Sequence, residues 1–97
     1  MQTKIPLLEY EGNGEYACIG YVQARILNRR TTWEGEYREK IQTRIDIGAK
    51  PMTKELREGI EGLVHSHSTY LESIQPAGKK GEWIVTIIAY PSSHFAG

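Results

Sequence analysis

Between positions 37 and 47 the chain alternates with a period of two. Tyr37, Ile41, Thr43, Ile45 and Ile47 fall on one side, and Arg38, Lys40, Gln42, Arg44 and Asp46 on the other. That period predicts a strand with one dry and one wet face, and here the wet face is cationic. A longer strand is expected upstream, over residues 16–30. Its even positions Cys18, Gly20, Val22, Ala24 and Ile26 are small or apolar, while Gln23, Arg25 and Arg29 are odd. A two-residue reversal at Glu34-Gly35 sets Val22 opposite Ile47, Ala24 opposite Ile45 and Ile26 opposite Thr43, so the two dry faces coincide. The expected product is a long hairpin, residues 16–33 with 36–47, carrying Trp33 near its tip.

The flanking patterns are shorter. Residues 4–10 read as a first strand, with Pro6 directing it to a sheet edge. Asn13-Gly14 is a turn, since this pair readily takes positive φ. After Gly48 and Pro51, Thr53 is a plausible helix N-cap. Leu56, Ile60, Leu63, Val64, Leu71 and Ile74 follow three–four spacing, which predicts one amphipathic helix to about residue 73 with His67 in its stripe. Gly59 and Gly62 each cost that helix about 1 kcal/mol relative to alanine, and imply close approach to the sheet or to a partner.

The last strand, residues 82–90, is apolar on both faces and therefore needs cover on both. Either it is central beneath other structure or a second protein, a twin or a foreign chain, covers it. It is expected to run in the same direction as the strand before the helix. Residues 91–97 read as a loose tail with Phe95 as an anchor. The fold class is α+β: a small, mainly antiparallel sheet in β-β-β-α-β order, with a long hairpin and one helix packed on one face, all in a single domain spanning residues 1–97.

Composition narrows the function classes. Twelve basic residues balance twelve acidic ones, which argues against both a dedicated non-specific nucleic-acid binder and a DNA mimic. The balance is uneven along the chain. Residues 23–44 hold six basic side chains against three acidic, and residues 53–74 hold two against four. The hairpin is positive and the helix negative. The single cysteine, Cys18, excludes an internal disulfide and a cysteine-built zinc site, and fits a reducing compartment. No signal peptide or apolar run long enough for a membrane span is present, so a soluble, cytoplasmic location is expected.

Candidate chemistry is sparse. His65 and His67, two apart on a helix, point about 200° away from each other and cannot chelate one metal. Glu61 and His65 share a face, but two ligands are too few for zinc. Cys18 is expected on a dry strand face, where a thiol is inert packing. The serines near the histidines lack a nucleophile-elbow context, and no phosphate-binding glycine motif occurs. No catalytic residue, cofactor site or metal site is assigned, and the protein is expected not to be an enzyme.

The basic hairpin face carries the functional expectation. Arg25, Arg29, Arg38, Lys40 and Arg44, with Gln23, Gln42 and Tyr21, are expected together on its outer side. Trp33 and Tyr37 near the tip, flanked by Arg29 and Arg30, resemble the aromatic-plus-arginine mixture of interface hot spots. Partner-binding residues are thus Arg25, Arg29, Arg30, Trp33, Tyr37, Arg38, Lys40 and Arg44. The expected partner is a protein with an acidic surface, bound by an inhibitor or accessory regulator of the kind phages and bacteria encode, with a homodimer as a further possibility. The alternative is a nucleic-acid-binding module using the same face. The bland counterpart is a solvated sheet face kept wet by long charged side chains.

Overall fold

Five strands and one helix form within residues 1–90, the part of the chain that the computed structural model describes. They are β1 (Gln2–Gly12), β2 (Glu15–Trp33), β3 (Glu39–Asp46), α1 (Lys54–Val64), β4 (Thr69–Pro76) and β5 (Glu82–Ala89). The expected tail, with Phe95 and His94, lies outside the described residues. The strands make one sheet in the order β1-β2-β3-β5-β4, every neighbouring pair antiparallel. The α+β class is as expected, but the element order is β-β-β-α-β-β.

The extra strand is the main correction. The helix stops at Val64, and β4 begins at Thr69, where a continued helix was expected. A bulge between Leu71 and Ser73 explains the misreading. Leu71 pairs with Ile87 and Ile74 with Val85, so both face the core although they are three residues apart. A bulged strand thereby reproduces the i,i+3 spacing of a helix. The run from His65 to Thr69 contains Ser66, Ser68 and β-branched Thr69, which favour turns and strands over helix continuation. The insertion of β4 also reverses the final strand: β5 lies beside β3 and antiparallel to it.

The N-cap at Thr53 forms as expected, its hydroxyl accepting a hydrogen bond from the Leu56 amide at 3.2 Å. The apolar face of the helix then packs on the core. Leu56 and Ile60 join Ile5, Val22, Ala24, Ile45, Ile47, Ile74 and Val85 in one buried cluster. The helix rests against β1 and also reaches β4, the two strands at opposite ends of the sheet order. The sheet therefore curls around it. Gly59 makes the close approach expected of it: a Cβ there would overlap the Pro6 carbonyl oxygen. Pro6 itself lies on the edge strand, as its missing N–H requires.

Strand β5 lies between β3 and β4, within the sheet, as one of the two expectations for it had it. On the helix side Val85 is buried. On the other side Ile88 is fully buried, with Lys40 and Tyr70 as its neighbours in register. The aliphatic stem of a lysine and the ring of a tyrosine can shield an apolar strand while keeping their polar ends wet. Ile84 on this face and Ile87 on the helix side are only partly covered.

Candidate functional site

The hairpin is built by β2 and β3, and its register differs from the expected one. Ile26 opposes Ile45, where Ala24 was expected, and Trp33 opposes Glu39. The connection is five residues, 34–38, closed by the Glu34 amide donating to the Arg38 carbonyl at 2.8 Å. Gly35 sits within it at φ +79°. The slip at Ile45 is two residues, an even number, so the same side of each strand still faces the core.

A bulge changes which arginines share a face. Between Ile26 and Asn28 the register shifts, leaving Leu27 as the extra residue. Beyond it Arg29 pairs with Thr43, on the helix side, and Arg30 pairs with Gln42, on the outer side. Arg29 thus leaves the outer face on which the alternation had placed it, and Arg30 and Asn28 enter it. The adjacent apolar pair Ile26-Leu27, which interrupts a strict alternation, was the available signal for this bulge.

A second bulge acts on Cys18. Leu7 pairs with Gly20 and Leu8 with Cys18, so Ile19 is the extra residue and Cys18 is turned to the opposite face from Gly20. Cys18 is exposed, contrary to the dry-face expectation, and its thiol donates to the Gly20 carbonyl at 3.4 Å.

The outer face carries Arg25, Asn28, Arg30, Lys40, Gln42 and Arg44 across the hairpin. Three of the arginines expected to bind a partner are engaged in ion pairs. Arg25 meets Asp46 at 3.6 Å, Arg44 meets Glu82 at 3.4 Å and Arg38 meets Glu34 at 3.6 Å. Arg38 also reaches Tyr70 and Tyr90, whose rings stack with centroids 6.4 Å apart. Partial burial opposes its charge, but Glu34, Tyr90 and Tyr70 outweigh that, and its pKa moves upward. Arg38 therefore braces the base of the turn. Arg30 and Lys40 have no ion pair among the described residues. A shallow depression of about 160 Å³ lies between Asn28, Arg30, Gln42, Arg44 and Ile84. At the tip, Trp33 and Tyr37 are each about half exposed, at 49% and 50%.

The remaining candidates do not converge. His65 caps the helix, its amide donating to the Glu61 carbonyl at 2.8 Å. His67 lies beyond the helix and is exposed, where a place in the helix's apolar stripe was expected. Among the described residues no cluster of three or more histidine, cysteine or carboxylate side chains is placed to hold a metal ion. On the helix, Glu58 accepts a hydrogen bond from Tyr16. Partial burial, then Glu58, Glu61 and Tyr10, raise the Tyr16 pKa. No helix among the described residues is long and apolar enough to cross a membrane.

Comparison with known proteins found no matching family model, curated protein or solved structure.

Proposed function

We propose that this is a non-catalytic binding protein, an inhibitor or accessory regulator in the cytoplasm, that docks the β2–β3 hairpin on an acidic protein surface. The observation that supports it is the pairing of Arg30 and Lys40, cations without a carboxylate partner among the described residues, with the half-exposed aromatics Trp33 and Tyr37 at the tip. Charged groups on such a face steer encounter and exclude wrong partners, while aromatics near the contact centre supply most of the affinity.

The ion pairs decide which residues test this. Arg38 and Arg44 hold the hairpin and the sheet together, so reversing their charge would disturb the fold as well as the surface. Arg30→Glu with Lys40→Gln removes the docking charge, breaks none of these ion pairs and keeps an aliphatic stem beside Ile88. Proteins retained from a cell lysate by the wild-type chain should bind the double variant at least about tenfold more weakly, a loss of about 1.4 kcal/mol. Thermal unfolding of the variant should stay close to wild type. Equal binding by the two chains would sink the proposal. The amides of Asn28 and Gln42 beside Arg30 also suit a nucleic-acid strand. An affinity for any oligonucleotide that falls steeply with added salt would favour that alternative.

A further inference from the structure

The bulge at Leu27 decides which polar groups meet on the outer face. Val22 and Ala24 are buried on the helix side, and a regular continuation of their alternation would send Leu27 and Arg29 outward. The extra residue reverses the alternation and sends Asn28 and Arg30 outward instead. At the same level of β3 the outer residues are Gln42 and Arg44. Arg30 pairs with Gln42 and Asn28 with Arg44. Four polar side chains thus stand at the corners of a rectangle, the arginines on one diagonal and the amides on the other.

Diagonal neighbours across two strands lie about 8 Å apart, within reach of long side chains. The depression of about 160 Å³ described above is the space between these four residues, with Ile84 on β5 as its apolar side. Every corner supplies hydrogen-bond donors, a fork of N–H groups from each guanidinium and an NH₂ from each amide. Arg44 spends part of its fork on Glu82, from Nη1 to Oε1 at 3.4 Å, which anchors it and leaves its other N–H groups to a ligand. Arg30 has no ion pair among the described residues.

The charges call for an anion. Lys40 stands on the same face, two residues along β3 from Gln42. Arg30, Arg44 and Lys40 therefore meet one carboxylate, Glu82, while Asp46 at the next level is held by Arg25. Like charges set across a ladder repel, and an anion between them removes that cost. A carboxylate would offer this site two oxygens and a single charge. A phosphate monoester offers three strong acceptor oxygens and a charge of about −1.5 to −2 at pH 7, which matches both the surplus of positive charge and the four donor groups.

We infer that this depression is a phosphate-monoester site, and that the acidic group it receives is a phosphorylated side chain of the partner protein. Arg30 grips two phosphate oxygens with its fork and Arg44 closes from the opposite corner. Asn28 and Gln42 donate to the oxygens that remain, and Ile84 packs against the aliphatic part of the modified residue. This is the mode by which arginine clusters read phosphorylated segments. The assignment rests on the outer hairpin face being the docking face, and adds the chemical group that the face reads.

The test is a titration of the full chain, isotope-labelled, with a capped alanine peptide carrying one central phosphoserine, at constant ionic strength. Saturable shifts are expected at the side-chain amides of Asn28 and Gln42 and at the guanidinium groups of Arg30 and Arg44. The same peptide with glutamate in place of phosphoserine should bind at least tenfold more weakly, and with serine not at all. Arg30→Gln should weaken phosphopeptide binding at least tenfold, and Asn28→Ala with Gln42→Ala several-fold, both with thermal unfolding close to wild type. No saturable shift up to about 5 mM phosphopeptide overturns the assignment, as does binding unchanged by Arg30→Gln. Equal affinity for the glutamate peptide also overturns it, but leaves docking on an acidic surface standing. Failure of that docking would show separately, as equal retention of lysate proteins by the wild-type chain and the variant carrying Arg30→Glu with Lys40→Gln. Inorganic phosphate that binds as tightly as the peptide would make this a site for small anions and overturn the protein source. So would a single-stranded oligonucleotide that binds more tightly than the peptide with a steep dependence on salt.

Discussion

Gly59 and Gly62 lie one helical turn apart and carry the same propensity penalty, yet the structure gives them opposite roles. A methyl group at Gly59 meets the carbonyl of Pro6, which is backbone and cannot yield, whereas at Gly62 it meets the end of the Leu8 side chain at 3.2 Å. Gly59→Ala should therefore lose about 1–3 kcal/mol in urea unfolding despite its better helix propensity. Gly62→Ala should be neutral or gain up to about 1 kcal/mol, because Leu8 can turn aside. Tyr16 offers a second test. Its raised pKa means that the folded state holds its proton longer than the unfolded chain does. That contribution to stability is present below the unfolded pKa of about 10 and is lost as pH rises through the folded value. Glu58→Gln should lower the pKa of Tyr16, read as the difference in phenolate absorbance between this variant and the same variant carrying Tyr16→Phe. An unchanged titration would mean that Glu58 does not act on the hydroxyl. The neighbours behind both effects come from β1 and α1, far apart in sequence, so residue types alone could show that Gly59 requires close contact but not with what.

At the scale of elements, bulges explain most departures from the alternation. Leu27 is one residue too many for the ladder, and its neighbours Ile26 and Asn28 pair with the consecutive residues Ile45 and Arg44. Deleting Leu27 should leave a regular ladder with the same partners, and a folded protein destabilised by about 2 kcal/mol or less, chiefly through the lost partial burial of its side chain. Deleting Gln23 is the contrast. It would move Arg25 into the site of Ala24, which is 1% exposed, and should prevent folding as judged by circular dichroism. Folding of the second variant with native stability would overturn the assigned register. Strand positions, the Thr53 cap and the edge placement of β1 were legible because each rests on local pattern or on a single residue's chemistry. The β4 strand and the outward turn of Cys18 were not, because one extra residue in a strand converts period two into period three without any mark in composition.

The whole molecule joins a buried body to a hairpin in which β2 runs on beside β3 to Trp33. Its radius of gyration, 14.5 Å, exceeds the ~12.5 Å expected for a compact chain of this length, in keeping with a hairpin that extends from the core. Amides of residues 28–32 should exchange with solvent markedly faster than those at Val22 and Ala24, whose side chains are buried in the core. Comparable protection along all of β2 would mean that the hairpin is as firmly held as the core.

What the sequence determined by itself is the class of fold and the sign of its surfaces. Alternation specifies which side chains must be dry, capping and proline chemistry specify where elements begin and which strand must lie at an edge, and the charge count makes the hairpin basic and the helix acidic. The tertiary structure alone decided the rest: that Arg29 and Arg30 part to opposite faces, that Arg25, Arg38 and Arg44 find carboxylates, and that β5 lies between β3 and β4. Each of these depends on which residues oppose one another across strands. Register is a property of pairs, and a single strand's pattern does not contain it.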